Sequence, residues 1–328
     1  MVRPCDFATK DRPDPMPVAP SELTFSQRAK YFGVNIVLRG LIGGLKLIPY
    51  RWRVPTMGWV LRKIAPFAGF HKRVRRNLAY TRPDLSPSEI EQLCHQVADN
   101  VGRTLAELYA GTPFWERAQA ADIRGPGLKA LQEAKAAGRP AVLVTGHFGN
   151  YDAARSKLVQ VGFNMGALYR RMANPYFNDH YVKAISATGK PMFEQGKRGM
   201  VEMVRHLKSG GNIAIVADMH AQGGEYLPFF GRPALTSTVP AELALKYNAA
   251  FIPVYGLRQE NGLDFAIIMA DEIPHSDPVT MTQAVCDDLE RRVRQNMGQW
   301  FWVHRRWKPM HDTPHPDDPN GGAETIGS

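Results

Sequence analysis

The stretch Ala141-Val-Leu-Val-Thr145-Gly-His147-Phe-Gly-Asn-Tyr-Asp152 decides the fold of this 328-residue chain. Its first five residues are an apolar run that predicts a buried strand, and the residues that follow predict a helix. His147 and Asp152 therefore lie where a strand turns into a helix. Ligands of open parallel sheets bind at the carboxyl ends of the strands, so we expect chemistry at this turn.

A histidine and a carboxylate at this spacing can form a general base. The carboxylate of Asp152 accepts a hydrogen bond from one imidazole nitrogen of His147, which leaves the other nitrogen basic and pointing outward. Such a pair can take a proton from an alcohol that attacks an acyl carbonyl, and free amides at the helix start can hold the oxyanion. The plainer interpretation is a histidine beside a helix cap.

Strands and helices alternate beyond this turn, which predicts an α/β fold with a mostly parallel sheet flanked by helices. Ser86-Pro-Ser-Glu89 is a capping box that opens a helix, and the chain is predicted to be helical to about residue 119. The elements that we predict in the second half are strands at 141–145, 165–169, 191–193, 212–217, 250–256 and 265–270, and helices at 151–161, 175–188, 199–209, 240–248 and 279–297.

Composition divides the chain into four parts. Residues 1–22 combine prolines and charges without an apolar stretch, which predicts a disordered leader and not a signal peptide. Residues 23–120 are predicted to be a helical, basic, membrane-associating region, and residues 121–308 the α/β core. Residues 309–328 are polar and rich in Pro and Gly, which predicts a disordered tail.

The front of the chain is strongly basic within a protein of net charge +10. Residues 27–80 hold twelve Lys and Arg and no Asp or Glu, with aromatic residues between them. No uncharged apolar run reaches the length of a spanning helix, so we expect an amphipathic segment that lies on an anionic phospholipid surface. The alternatives are a tilted single span over residues 31–50, with Arg39 inside it, and a soluble helix with a basic face.

The other chemical classes have little support. The basic cluster at residues 71–76 could bind RNA, but no RNA- or DNA-binding motif accompanies it, so phospholipid, an acidic carrier protein or a phosphorylated substrate is favoured over nucleic acid. Three distant cysteines predict neither a disulfide nor a cysteine-rich metal site. The chain has no G-x-S-x-G, P-loop or G-x-G-x-x-G motif, and nothing in it requires a cofactor or a metal.

Further polar residues follow other predicted strands. Arg170 and Arg171 can reach the same sheet edge and suit a phosphate or an oxyanion. Asp218 can position a substrate or a cation, or cap a loop. Residues 223–236 are predicted to form a long loop that lines an apolar groove or covers the core. Residues 300–308 mix aromatic and cationic side chains and are interpreted as a surface anchor, or as a platform for stacked bases.

Six segments, taken together and in order, resemble the lauroyl/myristoyl acyltransferase family of lipid A biosynthesis, part of the wider lysophospholipid acyltransferase superfamily. The resemblance extends from about residue 25 to residue 308. The segments are Arg75-Arg-Asn-Leu78 with Pro83-Asp-Leu-Ser86, Thr145 to Asp152, Tyr169-Arg-Arg171 with Asn174-Pro175, Ala217-Asp218, Pro228-Phe-Phe-Gly-Arg-Pro-Ala234, and Trp302-Val-His-Arg-Arg-Trp307.

This resemblance implies a glycerolipid acyltransferase-like fold on the cytoplasmic face of a Gram-negative inner membrane, attached peripherally or by one N-terminal anchor. The enzyme would move a fatty acyl chain from acyl carrier protein to a hydroxyl of a lipid A precursor, without a cofactor. His147 would be the general base and Asp152 its orienting carboxylate. The remaining substrate-binding positions would be Arg170, Arg171, Asp218, Gly231, Arg232, His304 and Arg305.

Asp152 departs from the pattern, because the lipid A enzymes usually carry Glu there. Another lysolipid, such as a lyso-aminolipid or a lysophospholipid, is therefore the alternative acceptor, with the same chemistry. A membrane-binding protein without catalysis is the alternative from another class.

Overall fold

Helices form the front of the chain in the computed structural model, which describes residues 23–308. The predicted capping box is confirmed: the Glu89 amide donates to the Ser86 hydroxyl at 3.3 Å, and the Ser86 amide donates to the Glu89 carboxylate at 2.8 Å. The predicted leader and tail lie outside the described residues. The front helices are α1 (Phe25–Lys46), α2 (Tyr50–Ile64), α3 (Phe70–Thr81), α4 (Pro87–Leu108) and α5 (Thr112–Ala120).

Alternating strands and helices follow, as the sequence predicts. The strands are β1 (Asp122–Arg124), β2 (Ala141–Thr145), β3 (Met165–Tyr169), β4 (Met192–Glu194), β5 (Asn212–Val216), β6 (Glu225–Phe229), β7 (Arg232–Thr236), β8 (Ala250–Arg258) and β9 (Phe265–Met269). The helices are α6 (Gly127–Ala136), α7 (Tyr151–Gln160), α8 (Pro175–Thr188), α9 (Lys197–Lys208), α10 (Val239–Lys246) and α11 (Pro278–Gln295).

The main sheet has the order β1-β9-β8-β2-β5-β3-β4. All its pairings are parallel except β8 with β9. Every residue of β2 is buried, because helices cover both faces of the sheet at its centre. Strands β2, β5 and β3 are neighbours and end at the same edge, so the segments that follow them meet there. This confirms the predicted mostly parallel sheet.

The prediction of a long loop at residues 223–236 is wrong. Strands β6 and β7 form an antiparallel hairpin, in which Leu227 and Phe229 of β6 and Ala234 and Thr236 of β7 are buried. Phe230 and Gly231 have φ values of 54° and 67°, which suit a two-residue hairpin turn. Pro228 of β6 and Pro233 of β7 face each other in this hairpin, which lies outside the main sheet. Proline lacks the N–H for a ladder hydrogen bond, so it is tolerated here and not in a central strand.

The aromatic C-terminal segment is interior and not a surface anchor. Trp300, Trp302 and Trp307 are each at most 1% exposed. They pack against each other and against Phe229 and Phe230 of the hairpin, with ring centroids 4.6–6.4 Å apart. Apolar burial therefore decides the position of this segment, although its composition is also that of an interfacial belt.

The front helices and the sheet share a hydrophobic core. Tyr50 and Val54 of α2 and Ala106 of α4 pack in the same cluster as Ile252 of β8 and Ile267 of β9. The division of the chain at residue 120 stays a prediction.

Helix α1 leaves most of its apolar side chains outside this core. Asn35 is its buried residue, whereas Ile36, Val37 and Leu41 are 55–61% exposed. Among residues 23–308, no helix combines the length and the hydrophobicity needed to cross a membrane. The predicted attachment of this region to a membrane stays a prediction.

Candidate active site

His147 contacts a carboxylate, and that carboxylate belongs to Asp218. The two residues follow the neighbouring strands β2 and β5, and His147 Nδ1 lies 2.7 Å from Asp218 Oδ1. An ionised carboxylate can only accept, so Nδ1 carries a proton, and in the neutral ring Nε2 has the free lone pair. The His147 side chain is 26% exposed. The imidazole is therefore fixed on one side and open to a substrate on the other.

Three donors hold the Asp218 carboxylate in place. Besides the imidazole, the His147 amide donates to Oδ2 at 2.7 Å and the Trp300 indole N–H donates to Oδ2 at 2.8 Å. Burial would raise the pKa of Asp218, but the adjacent His147 and the hydrogen bonds from its ring and its amide hold that pKa far below its usual range. Asp218 is thus a charged, fully bonded carboxylate in the interior.

Asp152 does not orient His147, which corrects the pairing predicted from the sequence. Its Oδ1 accepts from Arg155 Nη2 at 2.9 Å and from Arg155 Nε at 3.2 Å. Residues three apart on a helix are neighbours on one face, so Asp152 at the start of α7 meets Arg155 one turn later. Arg155 also donates to the Ile185 carbonyl of α8. The pair neutralises a buried guanidinium and ties α7 to α8.

The backbone amides of this turn are mostly engaged, which weakens the predicted oxyanion site at the start of α7. The amides of Phe148, Gly149 and Asn150 donate to the carbonyls of Gly146, Gln299 and Gly256. The amides of Asp152 and Ala153 donate to the Asn150 side chain and carbonyl. These donors hold the loop in shape, so a substrate oxyanion needs donors from elsewhere in the edge.

Glycine allows this loop to approach strand β8. Gly149 has φ +60°, and a Cβ added there would overlap the Gly256 carbonyl oxygen. A side chain at either glycine would push the loop off the strand. Next to this contact, the Asn150 side chain donates to buried Glu107 at 2.8 Å, and Arg258 Nη2 donates to the same carboxylate at 2.7 Å. A buried ion pair thus supports the segment that carries His147.

The C-terminal segment completes the surroundings of His147. The Phe301 amide donates to the His147 carbonyl at 2.9 Å, and the His304 ring packs edge to face on the His147 ring with centroids 4.5 Å apart. Buried Arg306 donates to the carbonyls of Met219 and Leu235. It therefore joins the residue after Asp218 to the hairpin.

His304 is expected to make folding pH-dependent. Burial, with adjacent His147, lowers the pKa of His304 to about 4, against about 6.5 in an unfolded chain. Above pH 6.5 both states are neutral, and between pH 6.5 and 4 only the unfolded state gains the proton. The free energy of unfolding should therefore fall by about 3 kcal/mol over this window. Chemical denaturation of the wild type and of His304→Asn at pH 7 and pH 4 measures the loss, which should be about 3 kcal/mol smaller in the variant. Equal losses in both would contradict it.

The other predicted site residues lie at different distances from this pair. Arg170 and Arg171 follow β3, two strands from β2 and so about 10 Å away at the usual strand spacing; Arg170 is exposed and Arg171 half-buried. Gly231 is at the hairpin turn, and exposed Arg232 donates to the Tyr80 carbonyl at 2.8 Å. Arg305 is exposed. Their roles toward a substrate stay predictions.

Several residues of the site give no clear signal in the sequence. Glu107, Arg258 and Trp300 lie 40 to 153 positions from His147. Tertiary packing alone brings Glu107 and Arg258 to the His147 loop and Trp300 to Asp218. Arg306 is next to Arg305, which the sequence analysis does single out. The feature that could have indicated Arg306 is the Arg-Arg pair between two buried tryptophans. The buried member of that pair is the second arginine.

The family model described as bacterial lipid A biosynthesis acyltransferase matches residues 22–309. A phosphatidylinositol mannoside acyltransferase of Mycobacterium tuberculosis is 25% identical over 185 residues, which are 55% of this chain and 58% of the relative. A lipid A biosynthesis acyltransferase of Haemophilus influenzae is 23% identical over 249 residues, 74% of this chain and 78% of the relative. The chain thus matches less than two thirds of the length of the mycobacterial relative.

Proposed function

The chain belongs to the bacterial lipid A biosynthesis acyltransferase family, and from this premise we propose that it transfers a fatty acyl chain to a hydroxyl of a membrane lipid. The observation that carries the proposal is the 2.7 Å contact between His147 and buried, ionised Asp218 at the edge where the central strands end. A base at this position suits attack by an alcohol on a thioester.

In the proposed reaction, His147 Nε2 takes the proton of the acceptor hydroxyl while its oxygen attacks the thioester carbonyl. The new C–O bond forms, the tetrahedral intermediate collapses, the C–S bond breaks, and the imidazolium returns its proton to the leaving thiolate. Asp218 stabilises the imidazolium during this step without taking its proton. The transfer is direct and needs no acyl-enzyme.

Arg170 and Arg171 are the proposed source of positive charge for the substrate. They follow β3 at the edge that carries His147, and guanidinium groups suit a phosphate or a developing oxyanion. This role gains weight because the amides of the His147 loop are already engaged. Asp218, which the sequence predicts to bind substrate, is proposed to be the orienting carboxylate instead.

Acyl carrier protein is the proposed acyl donor. The support is electrostatic: the chain has a net charge of +10, and residues 72, 73 and 76 on α3 are exposed cations. An acidic carrier would be attracted to such a surface, mainly through its association rate.

The proposed acceptor is a lipid A precursor. The relatives disagree on this point, because one name specifies lipid A and others specify phosphatidylinositol mannoside. A different lysolipid, such as a lyso-aminolipid or a lysophospholipid, is therefore the second candidate, and Asp152 in place of the usual Glu favours it. Both candidates share the chemistry and differ only in the acceptor.

We propose that the enzyme attaches to the cytoplasmic face of the inner membrane through its front helices. Among the described residues, eleven of the eighteen large apolar side chains that are exposed lie between Phe25 and Phe67. Trp52 and Trp59 are among them, and no acidic residue lies in residues 27–80. An exposed apolar and aromatic surface with cations around it is typical of attachment to anionic lipid.

Replacing Ile36, Val37 and Leu41 together by serine should weaken vesicle binding by at least about tenfold, since each buried aliphatic side chain contributes on the order of 1–3 kcal/mol. These side chains are already exposed in the protein, so its stability should hardly change. Flotation with vesicles of anionic phospholipid measures the bound fraction. The control is Val201→Ser with Val279→Ser, which removes exposed apolar groups from α9 and α11. Equal binding by the triple variant and the control would exclude α1 as the attachment surface.

Mass spectrometry of lipids tests the function. The membrane-bound protein is incubated with acyl-loaded acyl carrier protein and a pool of under-acylated lipid A precursor, lyso-aminolipids and lysophospholipids. One acceptor should gain the mass of one acyl chain, and its identity decides between the candidates. No gain in any acceptor, with folded protein and intact carrier, would favour the membrane-binding protein without catalysis.

A further inference from the structure

A second cluster of ligand-type side chains lies between α3 and α4, outside the site around His147. His71 is on α3, and Glu91, Cys94 and His95 are on α4 at positions i, i+3 and i+4, which share one helix face. Ligand atoms of His71, Glu91 and Cys94 all lie within 4.8 Å of one another. Neither the proposed reaction nor the membrane surface uses these residues.

The ring of His71 is buried without a hydrogen bond. His71 is 1% exposed, and neither of its ring nitrogens makes a hydrogen bond. Nδ1 faces Glu91 Oε1 at 3.4 Å without the geometry of a hydrogen bond. A buried imidazole normally donates a hydrogen bond from one nitrogen and accepts one at the other. Burial of the His71 ring without these bonds costs free energy, and a ligand bound to the ring would offset that cost.

Two of the distances in this cluster suit a small tetrahedral ion. Zinc with bonds of about 2.0–2.3 Å to N, O and S has ligand atoms about 3.3–3.7 Å apart. Glu91 Oε1 lies 3.4 Å from His71 Nδ1 and 3.5 Å from His95 Nε2. The rings of His71 and His95 meet edge to face, with centroids 5.0 Å apart. One carboxylate oxygen thus already faces two imidazoles at tetrahedral spacing.

The charges are compatible with binding. Arg75 Nη2 pairs with the other oxygen of Glu91 at 2.5 Å, which leaves Oε1 for an ion. The Cys94 thiol would release its proton to solvent when a metal binds. A thiolate and a carboxylate then balance the two charges of the ion.

We propose that His71, Glu91, Cys94 and His95 bind one zinc ion that joins α3 to α4. The set of two nitrogens, one sulfur and one oxygen is a tetrahedral zinc set and does not suit magnesium or calcium. Asn77, also on α3, donates to the carbonyls of Trp302 and His304 at 2.5 and 2.9 Å. The ion would therefore stabilise the helix that supports the C-terminal segment.

Cobalt titration of the full-length, metal-free protein tests this proposal independently of catalysis. The background is Cys5→Ser, which removes the thiol outside the described residues. Bound Co²⁺ should show a thiolate charge-transfer band and the ligand-field bands of a tetrahedral ion, and Zn²⁺ should abolish both. Cys94→Ser should lose the charge-transfer band, whereas Cys286→Ser, which removes the other buried thiol, should keep it.

His95→Ala is a second variant at a partly exposed position of α4, where folding is least affected. It should weaken cobalt binding by more than about tenfold, since even partners outside the ligand set contribute that much. Zn²⁺ should also raise the thermal midpoint of the wild type but not that of Cys94→Ser. The absence of a cobalt–thiolate band in the wild type, or equal cobalt spectra and affinities in the wild type and both variants, would overturn the proposal.

Discussion

Replacement of His147 by alanine should reduce the rate of acyl transfer by about 10²–10⁴-fold, the usual contribution of a general base. Without the imidazole, the acceptor hydroxyl must attack while it still carries its proton, and Asp218 is too far inside the protein to replace the base. The initial rate of acyl gain by the acceptor, measured by mass spectrometry, gives the effect.

The control for this variant is His275→Ala. His275 is exposed, and its Nε2 contacts the Ala249 carbonyl at 2.8 Å, at the opposite edge of the sheet where β8 begins. It should keep wild-type activity. Circular dichroism and vesicle flotation should show that His147→Ala remains folded and membrane-bound. A rate within about threefold of wild type in folded His147→Ala would exclude this histidine as the base.

Asp218→Asn should reduce activity by about 10³–10⁴-fold, whereas Asp152→Asn should reduce it by less than about tenfold. The position of Asp218 Oδ2 receives two N–H donors, from the His147 amide and the Trp300 indole. The amide oxygen of the substituted side chain must therefore stay there, and its NH₂ group faces His147 Nδ1. That reverses the imidazole tautomer, so Nε2 carries the proton and cannot act as a base.

The main expected effect of Asp152→Asn is a loss of stability. It leaves the guanidinium of Arg155, 4% exposed, without its counter-charge, and loss of one partner of a buried pair costs about 3–5 kcal/mol. Chemical denaturation measures this loss, and activity per folded molecule separates it from catalysis. If Asp152→Asn proved inactive while fully folded, and Asp218→Asn active, Asp152 would be the orienting carboxylate after all.

The sequence was sufficient for the α/β architecture because periodicity is local. The apolar run at Ala141–Thr145 and the capping box at Ser86 each depend on a few consecutive residues, and the structure confirms both. The hairpin at residues 225–236 was missed because its prolines and glycines resemble a loop. Its alternation of buried and exposed side chains depends on packing against core residues that are distant in the sequence.

The sequence by itself determined that His147 lies at the carboxyl end of a central strand, because adjacent residues form the strand and the turn that follows it. Only the tertiary structure decided which carboxylate serves it. Asp152 is five positions away but is directed along its own helix to Arg155. Asp218 is 71 positions away but follows the adjacent strand β5. Neighbouring strands lie about 4.8 Å apart. Parallel pairing therefore brings Asp218 closer to His147 than Asp152, although Asp152 is nearer in the sequence.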